Sequence, residues 1–244
     1  MEIGDYVVRK KYHRDILFQI YGKRNNIYYL KGVELRLLAD ATADDLEIAT
    51  LSLMRQDDDL SLDTSLLKGK ILHVDGDETY LKMCEDKYRD LGVRSICVHL
   101  KEKDMAEKIE TLLSLHHPDL LVITGHDALN EKGEYSHSED FAACVRKARS
   151  YEGDKDRLII FAGACQSNYE RLIAAGANFA SSPKRVNIHA LDPVRLMSQV
   201  AVVSIKDYID IEKITEKTTC KLDGIGGIDT KGVARKIYPR KELS

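Results

Sequence analysis

The sequence lacks tryptophan, has only four prolines among its 244 residues, and has few cysteines. The five cysteines are Cys84, Cys97, Cys144, Cys165 and Cys220. Their number is odd, their spacing is wide and no C-x-x-C pair occurs, which argues against a disulfide framework and against a zinc knuckle. Most of them are expected to be reduced thiols of the core.

The sequence also lacks long apolar segments and a strong net charge. No apolar segment approaches the roughly 18 residues of a membrane span, and residues 1–5 carry no signal-peptide pattern. The net charge of −3 and pI near 6.3 give no global attraction to nucleic acid or anionic lipid. We therefore expect a soluble, cytoplasmic, globular protein without nucleic-acid or membrane partners. The sequence does not set its oligomeric state.

The N-terminal 40 residues contain four short runs rich in β-branched and aromatic residues. These runs are residues 6–9, 16–21, 27–30 and 33–38. Residues 22–26, between two of them, are of types that tolerate the positive φ of a hairpin connection. Residues 1–40 are predicted to form a small SH3-like β-barrel with a structural or docking role. Residues 41–69 scatter aspartates among Ser, Thr and Leu without strand alternation, and are predicted to form an acidic linker.

From residue 70 to 244 the pattern alternates apolar strands with amphipathic helices. Strands are predicted at 70–75, 93–98, 119–124 and 157–162, with helices between them. This alternation predicts an α/β domain with a doubly wound, mostly parallel sheet. The C-terminal 40 residues alternate weakly, and their Gly224-Ile-Gly-Gly227 is predicted to form a turn.

Two of these strands end in reactive side chains. His126 follows the strand at 119–124 after one glycine, and Cys165 follows the strand at 157–162 after Gly163 and Ala164. The 39 residues that separate them are enough for one loop and one crossover helix between adjacent parallel strands. Because open α/β sheets bind ligands at the carboxyl edge, His126 and Cys165 could meet there.

A cysteine in this position is suited to nucleophilic catalysis. The thiolate is the nucleophile, and a neighbouring histidinium or helix N-terminus lowers its pKa. Backbone N–H groups of the turns after the two strands, at Gly125, Asp127 and Cys165, could hold a developing oxyanion. The opposing interpretation is a buried structural thiol, which is a common fate of cysteine.

Several stretches that span nearly the whole chain resemble one family of bacterial peptidases. They are Ile3-Gly-Asp-Tyr-Val7, His73-Val-Asp-Gly-Asp77, Val122-Ile-Thr-Gly-His-Asp127, Phe161-Ala-Gly-Ala-Cys-Gln-Ser167, Gly176-Ala-Asn-Phe-Ala-Ser-Ser-Pro183 and Asn187-Ile-His-Ala-Leu-Asp-Pro193. With these stretches the chain resembles the YabG family of sporulation-specific proteases of endospore-forming bacteria. Its His126 and Cys165 also look like the dyad of caspase-like cysteine peptidases.

The resemblance implies a caspase-like fold and a cysteine endopeptidase that cleaves spore coat and spore-assembly proteins. It maps the dyad onto His126 and Cys165 and implies no metal and no organic cofactor. One feature departs from the broader caspase-like pattern, which has glycine directly after the histidine. Here Asp127 follows the histidine and Gly125 precedes it.

Asp75 and Asp77 suggest which type of substrate residue precedes the cleaved peptide bond. They follow the first strand of the α/β domain, at a position that contributes to the substrate pocket of caspase-like peptidases. Carboxylates bind guanidinium in a bidentate, charge-assisted manner, so we expect cleavage after basic residues, with arginine above lysine. Asp192 is a further candidate. The alternative for the two aspartates is a turn in which Asp77 caps the next helix.

Two other functions fit the same sequence. The spacing of Gly163-Ala-Cys-Gln-Ser167 also satisfies a nucleophile elbow, as in a class I amidotransferase-like hydrolase. In such an enzyme the histidine follows the cysteine, which would make His189 the partner of Cys165. A non-enzymatic coat scaffold, which docks partners through the N-terminal barrel, is the second alternative.

Overall fold

A computed structural model describes residues 1–12, 14, 16–49, 66–130 and 133–238. The chain divides into two compact units, Met1–Asp59 and Leu60–Ser244. Most of the predicted acidic linker, residues 50–65, lies outside the described residues. The boundaries predicted for the barrel, the linker and the α/β domain stay predictions.

The first unit contains one antiparallel sheet. Its strands are β1 (Tyr6–Arg9), β2 (Leu17–Arg24), β3 (Ile27–Gly32), β4 (Leu38–Thr42) and β5 (Leu46–Ile48). They lie in the order β4-β3-β2-β1-β5, and between the described residues of this unit the edge strands β4 and β5 do not pair. The prediction of a small β module is thus confirmed as an antiparallel sheet, but the described residues form no closed barrel.

The prediction of a strand at residues 33–38 is wrong. That segment is a tight bend in which the N–H of Gly32 donates to the carbonyl of Leu37 at 2.7 Å. A Cβ on Gly32 would lie 2.2 Å from the carbonyl oxygen of Leu35, so only glycine permits this bend. The next strand therefore begins at Leu38, and β5 carries the sheet on to Ile48, into the segment predicted as linker.

The second unit alternates strands and helices, as predicted. Its strands are β6 (Leu66–Leu67), β7 (Ile71–Asp75), β8 (Ser95–His99), β9 (Leu120–Thr124), β10 (Ile159–Ala162), β11 (Phe179–Ser181), β12 (Ile225–Gly227) and β13 (Arg235–Lys236). Its helices are α1 (Glu78–Asp90), α2 (Glu102–His116), α3 (Ser138–Tyr151), α4 (Tyr169–Ala175), α5 (Asp192–Val200), α6 (Ile211–Thr215) and α7 (Lys221–Gly224). The main sheet has six strands, and β6 pairs with β13 in a separate two-stranded sheet.

The main sheet is doubly wound. Its order is β12-β11-β10-β9-β7-β8, in which β7 to β11 run parallel and β12 pairs with β11 in the antiparallel direction. Counted along the chain, the parallel strands follow the order 2-1-3-4-5, and the winding direction reverses between β7 and β9. A crevice at such a reversal is where α/β sheets of this order bind ligands.

A hydrophobic core lies on each face of this sheet. One face packs against α1 and α5, and its core includes Ile71, Tyr88 and Val194. The other face packs against α2, α3 and α4, and its core includes Leu72 and Phe141. Because β7, β9 and β10 are covered on both faces, every residue in them is buried, which explains why they are mostly apolar. The polar residues His73, Asp75 and Thr124 are buried with them.

Candidate active site

His126 and Cys165 follow neighbouring strands. β9 and β10 are adjacent and parallel, with Ile123 opposite Ala162 at their last paired position. The loops that carry His126 and Cys165 therefore leave the same edge of the sheet, as the sequence predicts. The loop after β7, with Gly76 and Asp77, leaves the same edge on the other side of β9.

His126 is held at three points. Its Nε2 lies 2.9 Å from Oδ2 of Asp77, and its backbone N–H donates to Oε1 of Glu102 at 2.9 Å. The edge of its ring meets the ring of Tyr80, with centroids 6.0 Å apart. Its side chain is 28% exposed, and within the described ranges its Nδ1 has no hydrogen bond. The imidazole is thus partly exposed, and Nδ1 is the ring nitrogen that does not face Asp77.

Asp77 serves two elements at once. Its Oδ1 accepts hydrogen bonds from the N–H groups of Thr79 and Tyr80, which makes Asp77 the N-cap of α1. Its Oδ2 faces His126. The capping role that the sequence suggested is therefore present, and the same carboxylate also contacts the histidine.

Asp75 lies beneath Asp77 and is fully buried. Its Oδ1 accepts from the backbone N–H of Asp77 at 2.8 Å, and its Oδ2 accepts from the hydroxyl of Thr124 at 2.7 Å. The Thr124 hydroxyl lies 2.7 Å from Nε2 of His73, and Nδ1 of His73 lies 3.2 Å from the Tyr88 hydroxyl. Asp75 is therefore part of an internal polar network rather than of a surface.

The described residues contain one cluster of side chains with the composition of a metal site. Ligand atoms of His73, Asp75 and Cys84 lie within 4.8 Å of one another, and all three residues are buried. Both ring nitrogens of His73 already face hydroxyl groups, those of Thr124 and Tyr88. The hydrogen bonds account for this cluster as part of the polar network.

Cys165 lies in a tight turn and is only 2% exposed. Its Sγ is 3.8 Å from the carbonyl oxygen of Ile188. Its own carbonyl accepts from the hydroxyl of Ser182 at 2.6 Å, and the hydroxyl of Ser181 donates to the carbonyl of Ala164 at 2.7 Å. The end of β11 thereby fixes the backbone that presents the thiol.

Gly163 makes this turn possible, because its φ is +125° and a Cβ there would lie 2.2 Å from the Ser181 hydroxyl. We expect Gly163→Ala to lower the free energy of unfolding by more than the about 1–3 kcal/mol that strain at a positive φ costs. Gly133→Ala is the matched control, because Gly133 also has a positive φ, +79°, but no atom within 4 Å of its Cβ position. Urea unfolding of both variants checks this. Equal losses would contradict a role for close packing at Gly163.

Side chains tie the His126 and Cys165 loops to each other. The carboxylate of Asp127 accepts from the backbone N–H of His137 at 2.8 Å and from the hydroxyl of Ser138. The Ser138 hydroxyl in turn accepts from the backbone N–H of Asn168 at 2.8 Å, and Asn168 caps α4 directly after the Cys165 turn. The residues after His126 and after Cys165 are therefore joined through the start of α3.

The two remaining candidates lie at the start of α5, with His189 in the turn before the helix and Asp192 as its first residue. The carboxylate of Asp192 is fully buried and accepts from the backbone N–H groups of His189 and Thr219 and from Arg195. Nδ1 of His189 accepts from the backbone N–H of Leu191 at 3.0 Å. Asp192 thus stabilises the start of a helix, and its role in substrate binding stays a prediction.

The proposed oxyanion donors also stay predictions. The structure adds one fact about them, because the N–H of His126, which lies between Gly125 and Asp127, already donates to Glu102. Glu102 was not singled out in the sequence. A Cβ on Gly76 would lie 2.1 Å from its Oε1, and a Cβ on Gly125 would lie 2.5 Å from the same atom. The two glycines therefore make room for the carboxylate that holds His126.

Comparisons with known proteins identify the family to which the chain belongs. A family model described as YabG peptidase U57 matches residues 2–66 and 54–239. The sporulation-specific protease YabG of Bacillus subtilis (strain 168) is 41% identical over an alignment of 285 residues, which covers 98% of each chain. The chain belongs to the YabG peptidase family. The resemblance stated from the sequence is confirmed, and a peptidase role in sporulation follows from it.

A search of solved structures gives a weaker likeness. A response regulator from Chloroflexus aurantiacus J-10-fl has 18% identity and a TM-score of 0.35, over 55% of this chain and 97% of its own. No conclusion about fold or function rests on this likeness. In the part of the chain that the structure describes, no helix is both long and apolar enough to cross a lipid bilayer.

A cavity of ≈640 Å³ in this YabG family member is lined by Val186 and by residues of the segment from α6 to α7. Its lining includes the carboxylates of Glu212, Glu216 and Asp223, the ammonium group of Lys221, and Val186. Val186 stands two residues before Ile188, whose carbonyl oxygen contacts the thiol of Cys165. The 186–188 segment therefore lines the acidic cavity at Val186 and contacts Cys165 at Ile188.

Proposed function

We propose that the chain is a cysteine endopeptidase in which Cys165 is the nucleophile and His126 is the general acid and base. The observation that carries this proposal is the placement of the two residues on loops that leave adjacent parallel strands at one edge of the sheet. The hydrogen bonds through Asp127, Ser138 and Asn168 that join these loops support it further.

In the proposed reaction the Cys165 thiolate attacks the carbonyl carbon of the scissile peptide bond. His126, after accepting the thiol proton, donates that proton to the amine as the C–N bond breaks, which leaves a thioester on Cys165. A water molecule, deprotonated by His126, then hydrolyses the thioester and restores the thiol. Nδ1 of His126 suits these transfers, because Nε2 faces Asp77. Backbone N–H groups at Gly125, Asp127 and Cys165 would hold the oxyanion.

The proposed substrates are spore coat and spore-assembly proteins, and the proposed site of action is the cytoplasm of the sporulating cell. Membership of the YabG family supports a role in sporulation. A caspase-like fold is proposed for the second unit, and an SH3-like docking role for the N-terminal sheet. No metal and no organic cofactor enter the proposed reaction, because a thiolate and a histidine supply both the nucleophile and the proton transfers.

We also propose cleavage after basic residues. Asp75 and Asp192, two of the three carboxylates from which the sequence suggested this preference, are fully buried and bonded within the fold. The acidic cavity, which the 186–188 segment connects to Cys165, offers better support. Asp223 in that cavity already pairs with Lys184 at 2.6 Å, which leaves Glu212 and Glu216 as the groups to test.

A peptide library with every residue type at the cleaved position is expected to show arginine and then lysine as the preferred residues. The double variant Glu212→Gln with Glu216→Gln should lower kcat/KM for the arginine peptide by about 10- to 100-fold, since hydrogen bonds to charged groups contribute about 1.5–3 kcal/mol. Glu107→Gln, an exposed change on α2, is the control. Efficient cleavage after aspartate or leucine, with arginine disfavoured, would contradict the proposal.

The amidotransferase-like alternative rests on one observation. His189 follows Ile188 directly, and the carbonyl oxygen of Ile188 contacts the thiol of Cys165. In that alternative His189, and not His126, exchanges the proton with Cys165. The scaffold alternative needs neither residue. Alkylation of Cys165 that leaves every function of the protein intact would favour the scaffold over both enzymes.

A further inference from the structure

We propose that Asp77 is a positioning residue for His126, which it holds through Nε2 so that Nδ1 is turned towards the thiol of Cys165. This role replaces the substrate pocket that the sequence suggested for Asp77. It rests on the proposed function, because it assumes that His126 exchanges protons with Cys165. The direct observation is the distance of 2.9 Å between Nε2 of His126 and Oδ2 of Asp77.

The carboxylate of Asp77 is well suited to hold a ring in one orientation, because it is fixed at both of its oxygens. Oδ1 accepts from two N–H groups of the first turn of α1, at 2.9 Å from Thr79 and 3.1 Å from Tyr80. Oδ2 is then directed at the imidazole. The side chain is only 14% exposed, so solvent competes little for it. A histidine bound to such an acceptor carries its proton on the bonded nitrogen and leaves the other one for chemistry.

A buried network fixes the backbone of Asp77 as well. Asp75 accepts the N–H of Asp77 and also the hydroxyl proton of Thr124. Because that hydroxyl proton is used on Asp75, the Thr124 oxygen must accept from Nε2–H of His73. This chain of bonds runs across β7 and β9, the strands on either side of the crevice. The position of Asp77 therefore depends on the packed sheet rather than on the surface loop alone.

His126 is fixed on its other sides too. Glu102, the first residue of α2, accepts its backbone N–H, and the ring of Tyr80 meets its ring edge-on. The charged or titratable groups of the described residues that contact His126 are thus Asp77 and Tyr80 from α1 and Glu102 from α2. Asp77 is the one that contacts a ring nitrogen, so it is the group that sets the orientation of the imidazole.

The test separates the positioning role from the capping role by three substitutions of Asp77 in the full chain. Asn and Ser both cap helices about as well as Asp, whereas Ala does not. We expect Asp77→Asn and Asp77→Ser to keep the urea midpoint of the wild-type protein, and Asp77→Ala to lower it. All three should lower kcat on the order of 10²- to 10⁴-fold, with a small change in KM, since a lost orienting carboxylate acts on the transition state.

A second readout is the pH dependence of Cys165 alkylation by iodoacetamide. Loss of the carboxylate in Asp77→Asn releases the imidazole from the orientation that faces the thiol, so half-maximal alkylation of Cys165 should move to higher pH. A merely structural role for Asp77 would leave this pH unchanged. Asp140→Ser is the matched control, because Asp140 makes a similar bond to His137, at 2.8 Å, that has no part in the proposed reaction.

Failure of the positioning role of Asp77 can be distinguished from failure of the proposed cysteine peptidase. If Cys165→Ala and His126→Ala lose activity while Asp77→Ser keeps the wild-type kcat, the positioning role is wrong and the cysteine peptidase stands. If Asp77→Ser raises KM for arginine peptides alone, with kcat unchanged, Asp77 belongs to the substrate pocket and the proposal is overturned. If Cys165→Ala remains active, the proposed function fails, and the role of Asp77 fails with it.

Discussion

Cys165→Ala is expected to abolish proteolysis while leaving the fold intact. The side chain is small and contacts the carbonyl of Ile188 only weakly, at 3.8 Å, so removal of one sulfur atom should change stability little. Activity should fall to background, because no other group can form the thioester. Cleavage of a protein substrate by the purified variant, alongside its circular dichroism spectrum, measures both effects. Cleavage at the wild-type rate would show that Cys165 is not the nucleophile.

Two other cysteines provide controls for this substitution. Burial raises the pKa of the Cys144 thiol to about 12 and that of the Cys97 thiol to about 11, so both are protonated at neutral pH. Neither is therefore a nucleophile under working conditions. Cys144→Ala and Cys97→Ala should retain activity per folded molecule. If either variant lost as much activity as Cys165→Ala, the loss in Cys165→Ala would no longer identify Cys165 as the nucleophile.

His126→Ala is expected to have the second large effect. General acid–base catalysis contributes about 10²- to 10⁴-fold, so kcat/KM should fall by a factor in this range. Without His126, no side chain in the proposed reaction accepts the proton of the Cys165 thiol and donates it to the leaving amine. Steady-state kinetics with one peptide substrate, at several pH values, measures the fall.

His189→Ala is the comparison that makes the His126 result decisive. Nδ1 of His189 accepts a hydrogen bond from the backbone of Leu191, which indicates a structural role in the turn before α5. We therefore expect His189→Ala to lose less activity than His126→Ala when rates are corrected for the folded fraction. The reverse order of kcat/KM values would favour the amidotransferase-like arrangement.

Much of the second unit could be predicted from the sequence because its strands are buried on both faces. β7, β9 and β10 are therefore mostly apolar, and each ends directly before a glycine at the sheet edge. That pattern was sufficient to place His126 and Cys165 on adjacent strands.

The partners of His126 could not be predicted in the same way. Glu102 begins α2, a helix that follows β8, and nothing in the local sequence shows that its carboxylate reaches the loop after β9. The only signal was a pair of glycines, Gly76 and Gly125, at the ends of neighbouring strands. A glycine at such a point indicates a close approach but does not identify the group that approaches.

The weakest predictions concerned segments whose conformation depends on distant residues. Gly226 and Gly227 were predicted to form a turn, but they belong to the edge strand β12. A Cβ on Gly226 would lie 2.8 Å from the hydroxyl of Tyr169, and one on Gly227 would lie 2.3 Å from the ring of Phe179. These glycines are therefore explained by packing against other elements, and local turn chemistry could not indicate that.

The central claim is that Cys165 forms the covalent intermediate, and one measurement tests it most directly. The full chain is treated with a peptidyl acyloxymethyl ketone that ends in arginine, and the modified residue is located by peptide mapping with mass spectrometry. We predict one adduct per molecule, on Cys165, with loss of activity in proportion to labelling. The His126→Ala variant should be labelled more slowly than the wild-type protein. An adduct on another residue, such as Cys220, together with full activity of the Cys165→Ala variant, would contradict the account.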